Sequence, residues 1–117
     1  MPAIDKSRIL IMATNGFEQS ELEKPLEQLR AKGAKVEVAA PKAGEITGWK
    51  DGNWGRPVKV DLTLDAVKID SYDALVLPGG VINPDKLRAN EKAVGIVKAF
   101  VAKIIDEVGE GLHRRAA

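Results

Sequence analysis

The segment Arg8-Ile9-Leu10-Ile11-Met12-Ala13-Thr14 is almost continuously apolar and stops at the turn pair Asn15-Gly16. Such a run predicts a strand buried on both faces, the pattern of a parallel sheet. Beyond it, Leu22, Leu26 and Leu29 recur at helical spacing, Ser20-Glu21-Leu22-Glu23 fits a capping box, and Gly33 supplies a stop. Pro25 then belongs to the first turns of this helix or marks a kink, because deeper inside it would remove a donor and clash with the preceding turn. Val36-Glu37-Val38-Ala39-Ala40 predicts a second strand and closes a βαβ unit of right-handed crossover.

From Pro41 to Pro57 the periodicity dissolves into Gly44, Gly48, Gly52 and Gly55 with Asp51, Asn53 and both tryptophans, which predicts an irregular excursion or a hairpin. Val58-Lys59-Val60-Asp61-Leu62 alternates, as a half-exposed strand does. Tyr72-Asp73-Ala74-Leu75-Val76-Leu77 is a further apolar strand and runs into Pro78-Gly79-Gly80. Asn83-Pro84 offers a cap and a first helical proline, and Val94, Val97, Val101, Ile104, Ile105 and Val108 continue at helical spacing. Gly109 and Gly111 weaken this helix, so Leu112 to Ala117 is expected to be a frayed basic tail. The pattern predicts one α/β domain over residues 1–117, with its parallel strands ordered second, first, then 74–77, and the 58–62 segment peripheral.

Composition narrows the chemistry. The apolar share is 44% and the charged share 30%, as in ordinary globular domains. A net charge of +1 gives no cationic field for a phosphate backbone, so no nucleic acid partner is expected. No run reaches membrane-spanning length and the N-terminus lacks the apolar core of a signal peptide, which points to the cytoplasm and away from a membrane. With no cysteine, the chain has neither disulfides nor a thiol nucleophile. Scattered carboxylates and the single His113 make no metal set, and no dinucleotide or phosphate-loop glycine pattern occurs, so no cofactor or metal is expected.

Taken in order, residues 9–22 (Ile-Leu-Ile-Met-Ala-Thr-Asn-Gly-Phe-Glu-Gln-Ser-Glu-Leu), Gly33 to Ala39, Val58 to Asp61 and Asp73 to Gly80 resemble the PfpI family over residues of about 7–100. That family is the intracellular cysteine peptidase and deglycase-like group of the class I glutamine amidotransferase-like superfamily, which also contains the parkinsonism-associated deglycase. The resemblance implies a flavodoxin-like three-layer sandwich with a site at the carboxyl ends of the parallel strands. It implies a stress-related hydrolase acting on peptides, glyoxal-type aldehydes or early glycation adducts. In the family a helix is followed by a strand and a Cys-His elbow; here residues 101–117 form a helix and tail without that elbow. The chain is therefore expected to be silent alone, as a truncated scaffold, with two alternatives: a binding or oligomerisation module, or one half of a split enzyme.

The resemblance places Glu18 where the family keeps an acid beside its nucleophile, and Gly79 and Gly80 where backbone amides face a developing oxyanion. The plainer readings are a first-turn acid on a helix dipole and an ordinary strand-ending turn. Ser20 is read as a cap rather than a nucleophile, and Asn83, Pro84 and Asp85 as a cap with its turn. His113, between Leu112 and Arg114, is not a relocated catalytic histidine. Trp49 and Trp54 are assigned to a subunit contact, with cover for the domain's own sheet as the alternative. Loss of a neighbouring strand leaves 74–77 as an apolar edge, so a homo-oligomer is expected.

Overall fold

A computed structural model describes residues 3–79 and 86–116, with side chains in the last helix followed as far as Lys103. The elements are β1 (Arg8–Met12), α1 (Gln19–Ala31), β2 (Lys35–Ala40), β3 (Glu45–Lys50), β4 (Asn53–Lys59), β5 (Leu62–Thr63), β6 (Ala74–Val76) and α2 (Glu91–Ala116). One four-stranded sheet runs β5-β2-β1-β6, and β3 and β4 form a separate two-stranded sheet. All pairings in the larger sheet are parallel, with Ile9 beside Val36 and Ala74. This is the expected order, and with a helix on each face it is the three-layer α/β arrangement.

The central strand shows why its sequence is apolar on both sides. Ile9, Ile11 and Ala13 pack with Leu22, Val36, Val38 and Phe17 on the α1 face. Leu10 and Met12 pack with Tyr72, Ala93, Ile96 and Phe100 on the α2 face. Leu10, Ile11, Met12 and Ala13 are wholly buried, so two independent cores share one strand.

Local chemistry fixes the ends. At the end of α1, Gly33 adopts φ +92°. There the Gly33 N–H donates to Arg30 O and the Ala34 N–H to Leu29 O, the paired closure that a left-handed residue permits. Pro25 sits in the second turn of α1, deeper than its missing N–H favours, and leaves the Glu21 carbonyl without its helical donor. The excursion is the hairpin alternative: Asp51 (φ 51°) and Gly52 (φ 80°) make the tight turn between β3 and β4.

Several expectations are corrected. Ser20 is not a cap: α1 starts at Gln19 with Glu18 in the cap position, so Ser20 is exposed one residue inside the helix. The backbone enters helical geometry earlier because the Glu18 carbonyl already accepts from the Glu21 N–H. Val58 to Leu62 is not one strand. Val58 and Lys59 finish β4, the Val60 N–H turns to Gly44 O and the Asp61 N–H to Val38 O, and Leu62 opens β5. The segment thus changes sheets midway. The tail is not frayed, since α2 continues through Gly109 and Gly111 to Ala116. Glycine costs a helix only about 1 kcal/mol against alanine, and no proline intervenes. Before α2, residues 86–88 make a helical turn. The cap of α2 is Asn90, whose Oδ1 accepts from the Ala93 N–H at 3.0 Å. Asn83, Pro84, Asp85, Gly80 and the side chain of His113 lie outside the described residues.

Candidate functional site

The parallel strands β1 and β6 end side by side, and the loops that leave them meet at the start of α1. The Glu18 N–H donates to Gly79 O at 2.9 Å, tying the helix entrance to the end of the β6 segment. The hairpin is pinned to the same loop. Gly16 (φ 90°) donates its N–H to Thr47 O, the Trp49 N–H donates to Phe17 O at 2.7 Å, and Asn15 Oδ1 accepts from the Thr47 N–H at 2.8 Å. Glu18 and Trp49 form a parallel bridge. Strand ends, helix entrance and hairpin therefore converge, as ligand sites of open parallel sheets do.

Close packing at this junction depends on missing side chains. A Cβ at Gly79 would lie 2.6 Å from one carboxylate oxygen of Glu21 and 2.7 Å from the other. The Glu21 carboxylate thus rests directly on the Gly79 backbone. A Cβ at Gly48 would meet the Phe17 ring at 2.7 Å, and one at Gly55 would strike Gln19 Oε1 at 1.8 Å. Gln19 is 5% exposed and accepts from the Arg56 N–H at 2.8 Å, so its buried amide oxygen is satisfied by β4.

Of the sequence-derived residues, the structure brings together Glu18 and Gly79 through backbone, and Trp49 through its bridge to Glu18. Glu18 is half-buried and makes no side-chain cap bond. Gly79 contributes a carbonyl, already engaged by Glu18, rather than a visible anion cradle. Trp49 and Trp54 stack edge to face with centroids 5.2 Å apart, and Trp54 is 57% exposed. The two rings contact each other at the hairpin.

Glu21 is the residue that the sequence reading missed. It was absorbed into the capping box, although its spacing from Glu18 places both on one side of the first helical turn. Beside Gly79 opens a cavity of about 480 Å³ between the carboxyl end of β6 and α2, lined mainly by Met12, Leu77, Leu87, Val94 and Val97. Its walls are almost wholly apolar, with Arg88 and Lys98 as the charged neighbours. Among the described residues no three His, Asp or Glu side chains converge as metal ligands. Nor is any helix there long and apolar enough to cross a membrane.

A second polar cluster lies at the opposite, amino end of the sheet. The Tyr72 hydroxyl donates to Glu37 Oε1 at 3.0 Å, Arg8 sits 6.0 Å from the Tyr72 ring centre, and the Arg8 N–H donates to Asp73 Oδ2. Burial, then the Glu37 hydrogen bond and charge, push the Tyr72 hydroxyl from 10.0 up to about 12. This cluster ties β1, β2 and β6 together far from the strand ends that bear Glu21.

Residues 7–105 match the model of the DJ-1/PfpI family. Deglycase PfpI of Pyrococcus furiosus is 46% identical over 91 residues, covering 78% of this chain and 52% of that protein. General stress protein 18 of Bacillus subtilis is 34% identical over 94 residues, covering 80% and 53% respectively. Among solved structures, a two-domain protein with DJ-1/ThiJ/PfpI-like and ferritin-like domains from Anabaena variabilis superposes with a TM-score of 0.76. It is 25% identical, and the match covers 84% of this chain and 27% of that one. The chain thus spans about half the length of the curated relatives it matches.

Proposed function

Since the chain belongs to the DJ-1/PfpI family, we propose that it carries the acid side of a hydrolase site of the deglycase and peptidase type, and that it turns over no substrate by itself. The observation that carries this reading is the Glu21 carboxylate seated on Gly79 at the strand ends, in a sequence without cysteine. A family hydrolase attacks a carbonyl carbon with a thiolate, and the attack needs three things: the sulfur, a group that manages its proton, and donors for the oxygen that gains charge. Glu21, with Glu18 one helical turn away, is suited to the second task. Gly79 and Gly80 are proposed for the third, through backbone N–H groups. The first is supplied by none of the 117 residues.

The substrates that fit are carbonyl compounds of the glycation kind, in keeping with the name of the Pyrococcus furiosus relative, or short peptides. No metal or cofactor enters this scheme. The experiment is turnover of a glycated amino acid and of a fluorogenic peptide by the purified chain. Rates equal to those of a heat-inactivated sample are expected; a rate proportional to protein concentration would refute the proposal.

A second reading, a homo-oligomer built on the hairpin, is favoured by the exposed Trp54 ring. An indole contributes strongly to an interface when its partner desolvates it. Trp54→Ala is then expected to lower the mass measured by light scattering to that of one chain. An unchanged mass removes the tryptophans from any interface.

A further inference from the structure

The turn pair Asn15-Gly16, between β1 and α1, carries a chemistry of its own. Asparagine is thermolabile because its amide carbon lies within reach of the next residue's backbone nitrogen. Ring closure is easiest before glycine, which has no Cβ in the way. Asn53, Asn83 and Asn90 precede Trp54, Pro84 and Glu91 instead. Asn15 is exposed, so water reaches its amide, whereas Gly16 is buried.

The hairpin holds this pair closed. Thr47 on β3 stands opposite Pro57, which has no N–H to offer, and both backbone groups of Thr47 turn away from β4 to the loop. The Gly16 N–H donates to Thr47 O at 2.9 Å, and Asn15 Oδ1 accepts from the Thr47 N–H at 2.8 Å. The nitrogen that would attack and the amide that it would attack are thus both held by one residue. The Trp49 N–H, which donates to Phe17 O at 2.7 Å, extends the same ladder along β3.

We propose that Asn15 is a site of spontaneous conversion to aspartate and isoaspartate, with Thr47 of β3 as its latch. Hydroxide takes the Gly16 proton and the bared nitrogen bonds to Asn15 Cγ. The Cγ–Nδ2 bond then breaks as the leaving nitrogen takes a proton from water, which returns hydroxide and releases ammonia. Water next opens the cyclic imide at either carbonyl. Opening at the side-chain carbonyl leaves aspartate, which still offers Thr47 an acceptor. Opening at the main-chain carbonyl leaves isoaspartate, which inserts a methylene into the backbone between β1 and α1. That insertion moves Gly16 to Glu18 out of register with β3, and it strains the bond from the Glu18 N–H to Gly79 O. The latch acts on the first step, because the Gly16 proton is bared only while Thr47 is detached. The chemistry does not depend on what the chain catalyses.

The purified chain is held in mildly alkaline buffer, both folded and in guanidinium chloride. Peptide mapping by mass spectrometry follows Asn15, and NMR follows hydrogen exchange of the Gly16 amide. Exchange in base starts with the same proton removal, so one opening governs both rates. In denaturant Asn15 is expected to convert well ahead of Asn53 and Asn90. Folding is expected to slow that conversion by a factor within about tenfold of the Gly16 protection factor. Thr47→Pro deletes the donor to Asn15, and Gly55→Ala, whose Cβ would strike Gln19 Oε1 at 1.8 Å, pushes β4 off α1. Each is expected to speed conversion in the folded chain by about threefold or more, the effect of one lost hydrogen bond. Circular dichroism verifies the fold of each variant; should neither fold, the comparison of folded and unfolded wild type decides alone. Conversion as fast in the folded chain as in the unfolded one, slowing unrelated to Gly16 protection, folded variants without effect, or an Asn15 no faster than Asn53 in denaturant would each overturn the proposal.

Discussion

Tyr72 is 4% exposed and is the sole tyrosine, which makes its ionisation directly observable. Burial, reinforced by the Glu37 carboxylate that accepts its hydrogen bond, holds the hydroxyl at about 12. The folded state therefore keeps the proton more tightly than the unfolded chain. The resulting stabilisation is complete below pH 10, and it fades as pH rises through about 12. An absorbance titration of phenolate is expected to show a midpoint near 12 in the folded protein and near 10 in denaturant; coincident midpoints would contradict the buried hydrogen bond. Gly48 answers to a different force. Alanine there would press on the Phe17 ring and the Gln19 backbone, both buried, so Gly48→Ala is expected to cost about 1–3 kcal/mol in urea unfolding. Gly79→Ala meets only the mobile end of Glu21 and is expected to cost less while displacing that carboxylate. At this scale the resemblance singled out Glu18 and Gly79, which the structure joins through backbone, but not that Glu21 packs against Gly79. Only the fold brings residues so distant in sequence together.

Among the elements, those announced by period and punctuation formed where expected. β1 is an almost continuous apolar run, β2 a short one interrupted by Glu37, and Gly33 ends α1 through a backbone angle that a side chain resists. Gly33→Ala, with φ +92° and a Cβ 3.2 Å from that of Asp5, is expected to lower stability by about 1–2 kcal/mol. Asn90→Ala, which removes the acceptor for the Ala93 N–H, is expected to cost about 1 kcal/mol, measured the same way. The errors have a common source. Ser20 and the glycines near the C-terminus are residues whose local preferences allow several outcomes. For Ser20 the outcome was set by Glu18, held at the helix entrance by Gly79. Val58 to Leu62 alternates correctly, yet Val60 and Asp61 find their backbone partners on Gly44 and Val38. Periodicity cannot reveal which neighbour a strand will choose, so a transfer between sheets leaves no mark in it.

For the whole molecule, the parallel strands were legible in their apolar runs, the three layers were implied by the family resemblance, and family membership confirmed the architecture. The composition of β6 announced an interior strand, while the family resemblance already left 74–77 at an edge, which is where the assembled sheet has it. An apolar cavity lies beside that strand, and the chain spans about half the length of its curated relatives. The most direct measurement follows methylglyoxal loss with the purified chain beside the Pyrococcus furiosus deglycase at equal concentration. The chain alone is expected to match its heat-inactivated control throughout. Aldehyde loss that persists over many turnovers and scales with the amount of this chain would contradict the proposal that these residues turn over no substrate by themselves.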